Sequence, residues 1–216
     1  MSKKIVFFLP GKGKMLDEYE GLPNEIAKRF GAELEPLRAP YPHPKPEKAA
    51  QGRRTWFNKI ANKTENREDA DVEEYRDTLR CIEDRIDQAV QMGVNPKDIV
   101  LFGHSMGAGL AVHAGLEMTL GAVVAVAPDM PYNLQYQMSS NTPIYWFECK
   151  NDTVLNDNRK KSYQLVESHP NFHRAILENS THDEFGKDLL IAMDGIFGHG
   201  KEKGAHFAPP VLGKTR

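Results

Sequence analysis

The chain has 216 residues, 40% of them hydrophobic, and a formal net charge of −2. That length supports one domain with a sizeable core and leaves no room for a second large one. The near-balanced charge gives no reason to expect a nucleic-acid partner or an anionic membrane surface.

Ile5-Val-Phe-Phe-Leu9 follows two lysines, as in a signal peptide, but is too short for one and is predicted as a buried strand. No apolar segment approaches the roughly 20 residues of a membrane helix, so stable membrane insertion is not expected. The glycines and lysines of Pro10 to Met15 lack phosphate-loop spacing. If this first strand lies beside the one ending at Ser105, the amide of Lys12 faces that serine. Glu18 to Phe30 has apolar residues along one face and is predicted helical, stopped by Gly31. Leu34 to Leu37, interrupted by charges and Pro36, suits a sheet edge.

Residues 40–68 open with Pro40, Pro42, Pro44 and Pro46 and are predicted to form no regular element there. They read as a substrate-side loop or small lid carrying Trp56 and Phe57. The alternative is that both rings only anchor the loop to the core. Asp69 to Gly93 is the longest helix signal, with Val72, Tyr75, Leu79, Ile82, Ile86 and Val90 at three- and four-residue steps.

Ile99-Val-Leu-Phe102 reads as a strand buried on both faces, and it runs into Gly103-His-Ser-Met-Gly107. Gly103 and Gly107 suit a tight strand-to-helix turn that pushes the Ser105 hydroxyl outward and exposes the Met106 N–H at a helix N-terminus. The competing reading is a glycine-rich connection whose serine merely caps the helix. Further strands are predicted at Ala122 to Val126, Pro143 to Cys149 and Phe172 to Leu177, with helices at Asp157 to Ser168 and Glu184 to Phe197. Residues 1–197 are taken as one domain and 198–216 as a poorly ordered tail.

Alternating strands and helices predict an α/β fold with a mostly parallel sheet of about six strands covered on both faces. Such sheets form their sites beyond the carboxyl ends of the strands. Ser105, Asp152 and His182 each follow a strand. His182 is the one histidine of eight that comes after the acid, follows a strand and precedes a final helix. It can take the serine proton and return it to a leaving group, while Asp152 fixes the imidazole tautomer.

Gly103-His-Ser-Met-Gly107, Lys150-Asn-Asp152 and Ser180-Thr-His182 resemble the catalytic segments of α/β-hydrolases, specifically the small carboxylesterase/phospholipase group that includes acyl-protein thioesterases. Leu9-Pro-Gly-Lys-Gly13 is similar to that group's oxyanion loop, and Trp56-Phe57 to an aromatic pair of its substrate loop. The resemblance spans about Lys4 to Phe197. It implies a three-layer fold and an oxyanion hole made by the backbone N–H groups of Lys12 and Met106. It also implies hydrolysis of a small-molecule carboxylic ester or thioester, with no cofactor and no metal. A peptidase or amidase with the same triad, and a non-catalytic binding protein of this fold, are the alternatives. Trp56, Phe57, Met130 and Tyr132 suggest an apolar acyl site.

The chain departs from the group at Pro10, where a histidine is usual, and at Glu148-Cys149, where His-Gly is usual. Lys12, Lys14, Arg53, Arg54 and Lys150 are either a solvated face or a basic entrance for an anionic leaving group. Cys81 and Cys149 form no C-x-x-C pair, which favours a reducing, cytoplasmic setting, as a monomer or homodimer.

Overall fold

The computed structural model describes residues 3–65, 67–155 and 161–197. Its centre is a parallel six-stranded sheet of β1 (Ile5–Leu9), β2 (Glu33–Pro36), β7 (Ile99–His104), β8 (Ala122–Val126), β9 (Ile144–Cys149) and β10 (Phe172–Leu177), in the order β10-β9-β8-β7-β1-β2. The charged strand β2 lies at the edge, as its composition requires.

Alternate residues of these strands face opposite sides of the sheet, which builds two apolar layers. Phe7, Leu9, Leu101, Val123 and Trp146 pack with α3 (Val72–Gln91) and α4 (Met106–Glu117). Val6, Phe8, Phe102, Val124 and Phe147 pack on the other side with α1 (Leu22–Phe30) and α5 (Gly186–Phe197). The result is three layers, helices on sheet on helices.

Several boundaries differ from the sequence reading, each for a local reason. The helix expected from Glu18 is split into a 3-10 turn, Leu16–Tyr19, and α1, because Glu20 and Gly21 adopt positive φ of 49° and 79° and Pro23 occupies the first turn of α1. Asp69 belongs to a strand, and α3 starts two residues after Ala70 with Asp71 as its cap, accepting from the N–H groups of Glu73 and Glu74 at 3.1 and 3.2 Å. The segment after β2 is more ordered than its prolines suggest. β3 (Tyr41–Pro42) pairs with β4 (Arg54–Thr55), α2 (Pro46–Ala50) lies between them, and β5 (Lys59–Asn62) forms a hairpin with β6 (Arg67–Ala70). Lys161–Leu165 is a 3-10 turn. Residues 156–160, where the helix expected from Asp157 begins, and the tail from 198 lie outside the described residues.

Because all six strands run the same way, the segments after β1, β7, β8, β9 and β10 meet along one edge. The close approach there depends on glycine. A Cβ on Gly107 would run into the carbonyl oxygens of Leu9 and Pro10, and one on Gly109 would lie 2.5 Å from the carbonyl oxygen of Asp129. Gly107→Ala is expected to cost about 2 kcal/mol or more in urea unfolding, since the obstacle is backbone and cannot rotate away. Asp71→Ala is expected to cost about 1 kcal/mol through loss of the cap.

Candidate active site

Ser105 lies between β7 and α4 with φ 54° and ψ −120°, a conformation that side chains rarely adopt. Its backbone is pinned on both sides. The Ser105 N–H donates to the Val126 carbonyl at 2.9 Å, and its own carbonyl accepts from Gly109 and Asp129, each at 3.1 Å. Oγ thereby stands at the carboxyl edge of the sheet, 3.0 Å from Nε2 of His182.

The loops bearing His182 and Asp152 are joined to each other. Lys150 N–H donates to the Leu177 carbonyl at 3.1 Å and Asn151 N–H to the Ser180 carbonyl at 3.0 Å. Asp152 Oδ2 accepts from His182 Nδ1 at 2.7 Å, and Oδ1 accepts from the N–H groups of Val154 and Leu155 at 2.8 and 2.9 Å. Burial pushes the Asp152 carboxyl up, but the hydrogen bond from His182 and the two backbone donors outweigh it, and its pKa is lowered. A carboxylate so held keeps Nδ1 protonated and leaves Nε2 as the acceptor of a hydrogen bond from the Ser105 hydroxyl.

A second line of hydrogen bonds runs behind the serine. Gly11 N–H donates to the Tyr19 hydroxyl at 2.7 Å, that hydroxyl meets His104 Nδ1 at 2.9 Å, and His104 Nε2 meets the His182 carbonyl at 2.8 Å. The carbonyl can only accept, so Nε2 carries the hydrogen and Nδ1 accepts from Tyr19. The segment after β1 and the segment bearing His182 are thus tied together through two side chains. His104 points away from Oγ, as its place before the serine predicts. The role of Tyr19 was not legible, because an aromatic residue 86 positions before Ser105 carries no sequence signal for this contact.

Lys12 and Met106, the residues expected to supply backbone donors, line the same cavity as Ser105 and His182, a space of about 430 Å³. Gly11 brings that loop to the serine: a Cβ there would lie 3.4 Å from the Ser105 Cβ. The aromatic residues are distributed differently. Phe57, Met130 and Tyr132 line an adjoining cavity of about 290 Å³. Trp56 lines neither. It is buried, and its indole N–H donates to the Pro10 carbonyl at 2.7 Å, so it supports the loop after β1.

The basic residues also separate. Arg53 bonds the Gly13 carbonyl and pairs with Glu18, Arg54 bonds the carbonyls of Ala39 and Pro40, and Lys150 pairs with Glu178. None of these three lines the Ser105 cavity, whereas Lys12 and Lys14 do. The sequence reading did not assign to this cavity His43, Lys45, Lys48 or the ion pair of Lys59 with Asp129, which borders both cavities. Lys59 enters on the β5–β6 hairpin, whose position over the site follows only from the fold. Among the described residues there is no cluster of metal-ligating side chains, and no helix is long and apolar enough to cross a membrane.

The fold is that of an α/β-hydrolase. A profile of the phospholipase/carboxylesterase family matches residues 5–196, and the chain belongs to that family. It is a carboxylic ester hydrolase. Solved structures of the same fold include SOBER1 from Arabidopsis thaliana, 19% identical over 88% of this chain and 96% of that one, with a TM-score of 0.67. The esterase PE8 is 19% identical over 89% and 93% of the two chains, TM-score 0.68. A Bacillus cereus carboxylesterase is 18% identical over 89% and 87%, TM-score 0.64. No protein of curated function matches the sequence significantly.

His104 is fully enclosed, and its pKa is pushed down to about 3, first by burial and then by the neighbouring His182 charge. In the unfolded chain the ring takes its proton near 6.5. Between these values unfolding takes up a proton, so this contribution to stability is complete above 6.5 and is lost as pH falls toward 3. Urea unfolding at several pH values is expected to show this loss, and His104→Gln to flatten the slope by up to about 1.4 kcal/mol per pH unit. Tyr19→Phe is expected to cost roughly 2 kcal/mol in the same assay, because it leaves the Gly11 N–H and His104 Nδ1 without a partner.

Proposed function

We propose that Ser105 attacks the carbonyl carbon of a carboxylic ester or thioester to form an acyl-Ser105 intermediate, with His182 as general base and Asp152 as its orienting carboxylate. The observation that carries this reading is the unbroken line from Asp152 Oδ2 to His182 Nδ1 at 2.7 Å and from His182 Nε2 to Ser105 Oγ at 3.0 Å. A serine hydroxyl attacks poorly unless its proton leaves as the new bond forms, and Nε2 stands where that proton must go. The same nitrogen then returns the proton to the departing oxygen or sulfur. In the second half, Nε2 takes a proton from water, which attacks the acyl carbon and releases the carboxylic acid and the free serine.

The backbone N–H groups of Lys12 and Met106 are the proposed donors to the oxyanion. Support comes from the contact of Gly11 with the serine and from the place of Met106 as the first residue of α4, where backbone N–H groups point outward and negative charge is favoured. Phe57, Met130 and Tyr132 remain the proposed apolar contacts for a substrate chain, through the cavity next to Ser105. Residues 40–68 are the proposed substrate-side wall. The two cysteines are unpaired, which supports a reducing, cytoplasmic setting.

Ser105→Ala is expected to lower hydrolysis of short p-nitrophenyl esters by on the order of 1,000-fold or more and to abolish labelling by a fluorophosphonate probe. Unchanged turnover by this variant would end the assignment.

A further inference from the structure

Ester cleavage makes no use of one part of the Ser105 cavity wall, formed by His43, Lys45 and Lys48. His43 follows β3, Lys45 precedes α2 and Lys48 lies within it. The His43 side chain is buried, the residue being only 7% exposed, and it packs against the loop after β1, where a Cβ on Gly13 would lie 3.0 Å from its Cδ2. Its Nδ1 accepts from the Lys45 N–H at 3.1 Å. The hydrogen of the neutral ring therefore sits on Nε2. Burial holds the ring neutral, and the nearby charges of Lys12, Lys48 and Lys45 add to this against a smaller pull from Glu47.

Among the described residues Nε2 has no hydrogen-bond partner. The ring lines the cavity, so an acceptor for that N–H comes from water or from a ligand there. Lys14 and Lys59, also on this cavity, pair with Asp183 and Asp129. Lys45 and Lys48 make no ion pair among the described residues. One fixed donor and two exposed ammonium groups that make no ion pair among the described residues line the cavity that holds Ser105.

We infer that the substrate carries, besides its scissile ester, a second and anionic group, a carboxylate or phosphate, held by the His43 Nε2–H and by Lys45 and Lys48. This rests on the ester-hydrolase reading of Ser105. A fixed N–H donor supplies direction, and the exposed lysines supply attraction that salt weakens.

Two matched substrate pairs test it and separate the side on which the anion lies. The first compares p-nitrophenyl butyrate with p-nitrophenyl hemisuccinate, which places a carboxylate on the acyl side. The second compares phenyl acetate with 4-phosphonooxyphenyl acetate, which places a phosphate on the leaving side. In at least one pair kcat/KM is expected to be about tenfold or more higher for the anionic member, mostly through KM, and to fall toward parity as salt rises. Lys45→Gln with Lys48→Gln, and separately His43→Phe, are each expected to reduce that ratio about fivefold or more. A ratio near one in both pairs, or a ratio that neither variant moves, overturns the inference.

If no ester is cleaved and no fluorophosphonate labelling occurs, the ester reading fails by itself. Calorimetry on the Ser105→Ala protein with succinate and with inorganic phosphate then decides the anion site alone. Binding that weakens at least fivefold on adding Lys45→Gln and Lys48→Gln sustains it, and absent or unchanged binding refutes it.

Discussion

The backbone of Ser105 is held where an L-residue does not rest by choice, and the surrounding edge is built to keep it there. A conformation of this kind costs on the order of 1–3 kcal/mol and survives only when neighbours over-determine it. Here the end of β8 supplies two of those restraints, the acceptor at Val126 and the donor at Asp129. Glycines at 107 and 109 supply the rest by letting α4 press against the segments after β1 and β8, and Gly103 lets the start of α4 close onto the end of β7. The position of Oγ is therefore a property of the sheet, and the sheet is fixed by two apolar layers made from alternate residues of the same strands.

The proposed base is positioned by a different kind of restraint. His182 sits on an irregular segment, and such segments are mobile unless tied. It is tied three ways: to Asp152 through its ring, to the loop after β9 through Asn151 and Ser180, and to the loop after β1 through His104 and Tyr19. The last of these links the proposed base to the loop bearing Lys12 by buried polar groups in which every hydrogen has a defined owner. Neutrality of His104 is part of that arrangement, since a protonated ring would present a second hydrogen to Tyr19 in place of an acceptor.

Much of this was legible in the sequence because it depends on local pattern. The continuous apolar runs at Ile5, Ile99, Ala122 and Ile144 mark strands buried on both faces, and parallel order then sends Ser105, Asp152 and His182 to one edge. Contacts between distant segments were not legible. The sequence grouped Trp56 with Phe57, yet one ring supports the loop after β1 and the other lines a cavity. Arg53 and Arg54 read either as a solvated face or as part of a basic entrance, but they satisfy backbone carbonyls of folded loops. The loop containing His43 looked structureless for its prolines, whereas Tyr41–Pro42 pairs with Arg54–Thr55 and places that ring on the wall of the Ser105 cavity.

The stretch between β2 and α3 contributes His43, Lys45, Lys48, Lys59 and Phe57 to the walls around the serine, while none of its residues belongs to the line from Asp152 to Ser105. It enters beside an edge strand and leaves through a capped helix start. The proposed substrate-side wall and the proposed chemistry are thus written in separate passages of the chain. Exchange of that cassette is a short evolutionary route to a new diet, provided the newcomer still braces the loop after β1 as Trp56 and Arg53 do.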